Sequence, residues 1–293
     1  MSSPDPRHLA EALPPASEIL ADVHRAFAED IGPGDATADL LDAAATATAV
    51  LTCREDAVLC GAAWFEACFR QLDPDVRIEW LVHDGDRIAA GSIICRLAGK
   101  ARALVTAERS ALNFLQLLSA TATVTSRYVD AIASTRTRVL DTRKTLPGLR
   151  RAQKYAVRCG GGTNHRIGLF DAMMLKENHI IAAGGIPAAV EAARRIHPTL
   201  PLIVEVETLD ELAQALNAGA DRALLDNFTP AMLAEAVAFT AGRMPLEVSG
   251  NVEIDTIRAI AETGVDFISS GALTKHVRAI DLSLRLDVRH GGD

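Results

Sequence analysis

The strongest constraint on the fold is a rhythm in the second half of the chain. Short apolar runs end in charged or small residues and alternate with helical segments. RVLDTRK ends near Asp141–Lys144, and AMMLKENH carries Lys176 at its end. LPLIVEVE ends at Glu205 and Glu207, and RALLDN at Asp226 and Asn227. LEVSGN ends at Ser249–Asn251, and VDFISSGA at Ser270–Ala272. Glu205, Asp226, Ser249 and Ser270 follow one another at 21, 23 and 21 residues. A strand-then-helix repeat of this kind predicts parallel strands covered by helices. Functional residue types gathered at the C-terminal ends of successive strands are the active-site signature of (β/α) barrels. The array covers about 140 residues, whereas a full eight-unit barrel takes roughly 250, so the barrel is incomplete or open. Six strands are legible. A seventh lies near Thr163–Leu169 or begins the array.

The first part of the chain has a different grammar. Residues Ser17–Glu29 carry Ile19, Leu20, Val23 and Phe27 at helical spacing, with Ser17 as the expected N-cap. EDIGPGDAT then forces a loop. Ala45–Cys53 and Ala57–Cys60 read as strands, and Gly61–Leu72 as a helix with Trp64, Phe65 and Phe69 inward. Val76–Val82 and Ser92–Leu97 read as strands around an HDGD turn. Val82–Leu97 has the look of a biotinyl or lipoyl carrier hairpin, but no Lys lies between Met1 and Gly99 to carry the group. One long helix or a helix pair covers Ala103 to about Ala133, with Glu108 and Arg109 near its start.

Charge narrows the chemistry. The chain carries net −8, yet Arg136 to Lys176 holds ten Lys/Arg against Asp141 and Asp171. That window is therefore +8 and the remainder −16. A local basic focus in an acidic protein suits a small polyanion in a cleft and does not suit nucleic acid. Arg150, Arg151 and Lys154 fit a solvated helix face equally well. Arg143, Lys144, Arg166 and Lys176 sit beside strand ends or Gly-rich loops, where they can enter a site. Five cysteines with no CxxC pair argue for a reducing cytoplasm. No run reaches about 18 apolar residues, so no membrane span is expected. The length of 293 residues suits two domains.

The strand ends suggest roles. Ser249–Gly250–Asn251 and Ser270–Gly271–Ala272 place glycines ahead of presumed helices, the first at Glu253–Glu262, where backbone N–H groups bind phosphate. Glu205 and Asp226 at neighbouring strand ends suit hydroxyls or Mg²⁺, which takes one or two carboxylates plus substrate phosphates. Pairing of these carboxylates with the basic loop is the structural alternative, and Glu207 is a rival for Glu205. His165 and Arg166 follow a GGGTN loop. His179 and His197 have no partners at metal-ligand spacing and are read as structural. Residue types stop at a phosphorylated, sugar-bearing substrate, a second anionic substrate, and Mg²⁺.

EDIGPGDAT, AERSALNFLQ, DTRKTLPGLR, KYAVRCGGGTNHRIGLFDAMMLKENHI, VEVETLDE, LLDNF, EVSGN and DFISSGALT, in that order, resemble the quinolinate phosphoribosyltransferase family. The resemblance implies transfer of phosphoribose from phosphoribosyl pyrophosphate to quinolinate, giving nicotinate mononucleotide, pyrophosphate and CO₂ in NAD biosynthesis. It implies an N-terminal α/β (α+β) domain and an open, seven-stranded α/β barrel. The expected boundaries are 1–115, 116–275 and a tail, 276–293, returning to the first domain. It also implies at least a homodimer, with Arg109 completing the partner's site, Mg²⁺ with phosphoribosyl pyrophosphate, and no organic cofactor. Quinolinate would face Arg109, Arg143, His165, Arg166 and Lys176, with Thr142 beside them. Lys144, Lys176, Glu205 and Asp226 would be catalytic, the two acids holding the ribose hydroxyls directly or through Mg²⁺. Ser249, Gly250, Asn251, Ser270, Gly271 and Ala272 would hold the 5′-phosphate. Asn251 departs from the second Gly of many relatives. A relative associated with molybdate transport, using another acceptor, and a non-catalytic phosphate-binding barrel are the alternative readings.

Overall fold

The computed structural model describes residues 6–250 and 252–289. In chain order its elements begin with α1 (Pro6–Ala12), α2 (Ala16–Asp30), β1 (Thr46–Cys53), β2 (Ala57–Val58), α3 (Ala62–Leu72), β3 (Arg77–Trp80), β4 (Arg87–Ile88), β5 (Ile93–Lys100) and α4 (Ala101–Ala131). They continue with β6 (Arg138–Leu140), α5 (Arg150–Cys159), β7 (Met173–Leu175), α6 (Glu177–Ala183), α7 (Ile186–Ile196), β8 (Leu202–Val206) and α8 (Leu209–Ala218). The last are β9 (Arg222–Leu225), α9 (Pro230–Thr240), β10 (Leu246–Ser249), α10 (Ile257–Glu262), β11 (Phe267–Ser269), α11 (Ala272–Lys275) and β12 (Leu282–Arg289). Two compact units result. The first is Met1–Ser126, Leu146–Gly161 and His276–Asp293; the second is Arg127–Thr145 and Gly162–Lys275.

The first unit is built on an antiparallel sheet in the order β12-β1-β5-β3. Alternation along β1 buries Ala47, Ala49, Leu51 and Cys53 on one face. Against the same core, α3 contributes Trp64, Phe65, Cys68 and Phe69. β12 pairs along all of β1, from Thr46 with Arg289 to Cys53 with Leu282. The position expected for a boundary, residue 115, falls inside α4, because Ala107, Ala111, Leu115, Leu118 and Ala122 all belong to this core. The segment holding α5 also lies here and not in the second unit, because Ala152, Tyr155, Ala156 and Cys159 enter the same core. Lys154 is 2% exposed, so the solvated-face reading fails for it. α2 begins at Ala16 after Pro15, without a side-chain cap, so Ser17 is inside the helix and not its N-cap.

The second unit holds six parallel strands in the order β6-β11-β10-β9-β8-β7. These are the six runs legible in the sequence. The seventh position is a lone parallel bridge from Thr163 to Leu140, on the edge of β6 away from β11. Helices α8 and α9 are capped by Thr208 and Thr229, whose hydroxyls accept from the N–H groups of Glu211 and Met232. α10 starts at Ile257 and not at Glu253; residues 253–256 turn instead, with Glu253 N–H donating to Thr256 Oγ1 at 3.1 Å. The turn after β10 therefore does not lead straight into a helix. Among the described residues, no helix is long and apolar enough to cross a membrane.

Candidate active site

A period of two along parallel strands puts Glu205, Leu224, Glu247, Ser249 and Ser269 on one face of the second sheet. All five line a cavity of about 310 Å³. Thr142, Arg143 and Lys144 reach it from the end of β6, His165 and Arg166 from the Gly-rich loop, and Met174 and Lys176 from β7 and its end. Eight of the residues singled out in the sequence thus meet in one place.

Local hydrogen bonds fix the loops. Lys144 N–H donates to Thr142 Oγ1 at 3.0 Å, and Thr274 Oγ1 donates to the Lys144 carbonyl at 2.7 Å. A Cβ at Gly271 would stand 2.8 Å from Lys144 Cδ, so a side chain there would displace the lysine. Asp141, fully buried, accepts from Asn164 Nδ2 at 2.6 Å and from His165 N–H at 2.8 Å. Asp171 accepts from the N–H groups of Ile167 and Gly168 at 2.7 and 2.9 Å. The two acids of the basic window therefore serve as braces for its loop.

The cations are held close to one another. Arg166 Nη1 donates to the Ala172 carbonyl at 3.0 Å. Burial, and then the charge of Arg143, pull the Arg166 guanidinium below the usual arginine range, with Asp171 opposing. Like charges crowded in a partly desolvated cavity favour an incoming anion. Lys176 Nζ donates to both oxygens of Glu205, at 2.6 and 2.8 Å. The alternative in which a strand-end carboxylate pairs with the basic segment thus describes Glu205 in this structure. Glu207 is exposed and does not line the cavity. Lys176 N–H donates to His179 Nδ1 at 3.1 Å, which makes His179 a helix-start brace.

A second layer of charge lies below. Glu247, with no exposed surface, accepts from Arg222 Nη1 at 2.9 Å and stands 3.3 Å from His165 Nε2. Burial pushes this carboxyl up, but His165, Arg222 and Ser269 together outweigh it and hold it below the usual glutamate range. Arg222 in turn lies 4.2 Å over the ring of Phe267. His165 Nδ1 accepts from Arg166 N–H at 2.7 Å.

Other expected residues lie elsewhere. Arg109 is exposed on α4, in the first unit, and does not line the cavity. Asp226 follows β9 and is not among the lining residues; its Oδ2 accepts from Asn227 Nδ2 at 3.2 Å. A Cβ at Gly250, where φ is +95°, would stand 3.4 Å from Asp226 Oδ1. Gly250, Ser270, Gly271 and Ala272 do not line the cavity either. Ser270 Oγ donates to the Val252 carbonyl at 3.2 Å and accepts from Ala272 N–H at 3.3 Å. Alternation at the end of β11 turns Ser269 inward in its place. Asn251 lies outside the described residues. Met174, Leu224, Glu247 and Ser269 were missed by the sequence reading. For Glu247 a signal existed: a charge within the apolar run LEVS, two residues before Ser249 and so on its face.

Four cations at the C-terminal mouths of parallel strands, with carboxylates and serines among them, define an α/β enzyme for small polyanionic metabolites. The comparisons sharpen this class. The description "Quinolinate phosphoribosyl transferase, C-terminal domain" matches residues 121–285, and the corresponding N-terminal domain matches residues 35–119. A probable carboxylating nicotinate-nucleotide pyrophosphorylase of Synechocystis is 42% identical over 279 residues, covering 94% of each chain. The chloroplastic carboxylating enzyme of Oryza sativa is 40% identical over 294 residues, covering 93% of this chain and 79% of its own. The solved nicotinate-nucleotide pyrophosphorylase of Francisella tularensis superposes with a TM-score of 0.90 at 48% identity, covering 94% of this chain and 98% of its own. The chain belongs to the quinolinate phosphoribosyltransferase family and is a phosphoribosyltransferase. The resemblance and the α/β fold class read from the sequence are borne out.

Proposed function

We propose that this chain joins quinolinate to the phosphoribosyl group of phosphoribosyl pyrophosphate and releases pyrophosphate and CO₂. One observation carries the reading: Arg143 and Arg166 line one cavity together with Lys144 and Lys176. Quinolinate is a dianion, and planar guanidinium forks match carboxylates two bonds at a time. The C1–diphosphate bond breaks, the ring nitrogen bonds C1, and the ring becomes cationic. The C2–carboxylate bond then breaks, its electron pair stays on the ring carbon beside the positive nitrogen, and a proton replaces CO₂. The protein's part is positioning and fixed charge.

Glu205 and Asp226 are hard oxygen donors at the ends of neighbouring strands and fit Mg²⁺ held together with a diphosphate. They would hold the ion, which supplies charge neutralisation at the diphosphate. Ser249 and the turns after β10 and β11 would take the 5′-phosphate. Arg109, exposed on the first unit, would complete the site of a second copy in a homodimer. The five cysteines are free and buried, which suits a reducing cytoplasm, although some plant relatives are named chloroplastic or mitochondrial. Calorimetric titration tests the acceptor: quinolinate should bind at least about tenfold more tightly than the monoanion nicotinate. Equal affinities would overturn the assignment.

A further inference from the structure

Glu247 is the one fully buried carboxylate facing a cavity otherwise dominated by cations, and a direct role in holding anions is excluded by its charge. Its contacts point to a different task. Its Oε2 receives Arg222 Nη1 at 2.9 Å and lies 3.3 Å from His165 Nε2. The other ring nitrogen of His165, Nδ1, accepts the Arg166 backbone N–H at 2.7 Å. A nitrogen that accepts an N–H bond carries no proton of its own, so the proton of the neutral ring sits on Nε2, toward Glu247. Nδ1 is then occupied within the protein, and Nε2 is buried with the Glu247 carboxylate at 3.3 Å.

Resting on the proposed quinolinate reading, we propose that Glu247 is a positioning residue that sets the acceptor side of the site through His165. The carboxylate fixes the tautomer and plane of the imidazole. The imidazole fixes the backbone at Arg166, which Asp141 secures from the other side by taking His165 N–H. The Arg166 guanidinium, anchored to the Ala172 carbonyl, is thereby aimed into the cavity. Arg222, stacked over Phe267, holds Glu247 in place as its counter-ion. Neutral removal of the acceptor should therefore disturb quinolinate recognition while sparing phosphoribosyl pyrophosphate.

Two variants separate this from a general packing role. Glu247→Gln keeps a carbonyl oxygen for His165 and Arg222, whereas Glu247→Leu keeps the bulk and removes every acceptor. The KM for quinolinate should rise about tenfold or more in Glu247→Leu and stay within about threefold in Glu247→Gln. The KM for phosphoribosyl pyrophosphate should hold in both. Nitrogen-15 NMR of the His165 ring, assigned by loss of its signals in His165→Gln, gives a readout without turnover. The Nε2–H tautomer should dominate in the wild type and in Glu247→Gln, and should be lost or exchange freely in Glu247→Leu. An Nδ1–H ring in the wild type, or an unchanged tautomer in Glu247→Leu, would overturn the proposal, as would equal rises of both KM values. If Glu247→Leu does not fold, the wild-type spectrum still decides the tautomer. Failure of the wild type to use quinolinate would instead sink the functional reading and leave the NMR result standing.

Discussion

Asp84 and Glu247 are carboxylates turned into the interiors of the two units, and they answer burial in opposite ways. Asp84 accepts from Ala62 N–H at 3.2 Å and from Tyr155 Oη at 2.9 Å, beside the thiols of Cys60 and Cys159. Burial raises its carboxyl above the usual aspartate range in spite of these bonds. Burial also raises the Cys60 thiol and the Tyr155 hydroxyl around it. Glu247 meets the same penalty but has His165 and Arg222 within reach, and it is held low. Neutral donors alone leave a buried carboxyl raised, whereas a cation among its partners, here Arg222, keeps it charged. The first unit therefore uses its inward acid to brace the start of α3. The second keeps fixed charge inside, as a site for charged metabolites requires.

The contrast can be broken most forcefully at the cationic mouth. Arg166→Ala should lower kcat/KM for quinolinate about 100-fold, with little change in the KM for phosphoribosyl pyrophosphate. Steady-state kinetics with each substrate varied decides this, and equal losses would show the roles to be misassigned. Next in size is complementation between copies. Arg109→Ala and Lys176→Ala should each be inactive, yet an equal mixture should recover about a quarter of wild-type activity, since half of the random dimers carry one intact site. No recovery in verified mixed dimers would remove Arg109 from the site.

The two inward acids can also be set against each other by pH. Glu247 has a lowered value, so it contributes stability above the ordinary glutamate value of 4.5 and loses it as pH falls through the lowered one. Asp84 has a raised value, so its penalty is full above that value and fades on acidification toward the ordinary 3.8. Between about pH 6 and about pH 3, Glu247→Gln should flatten the fall in Tm and Asp84→Asn should steepen it. Calorimetric melting across that range checks both signs. The smallest effect concerns neither site. Thr208→Ala removes the N-cap of α8, and denaturant unfolding should show a loss of about 1 kcal/mol with kcat unchanged.

Much of this was legible in residue order. The six parallel strands showed as short, mostly apolar runs because strands covered by helices carry few polar positions, and those few sit mainly at the strand ends. The basic loop showed because its charge opposes that of the chain. What escaped depended on facing. Ser269 and Ser270 are identical in sequence, and only the register of β11 decides which one lines the cavity. Glu247 hid inside a hydrophobic run, where a lone acid gives no sign of the arginine and histidine that meet it from distant positions. The place of α5 escaped because its inward residues, Ala152, Tyr155, Ala156 and Cys159, name no partner until the chain is folded.

Carboxyl-labelled quinolinate provides the most direct test of the cationic mouth as a phosphoribosyl-acceptor site. Incubated with the protein, Mg²⁺ and phosphoribosyl pyrophosphate, the C2-labelled acid should release labelled CO₂ in step with nicotinate mononucleotide, one for one. Nucleotide formed from nicotinate, with no CO₂ released from quinolinate, would contradict the account.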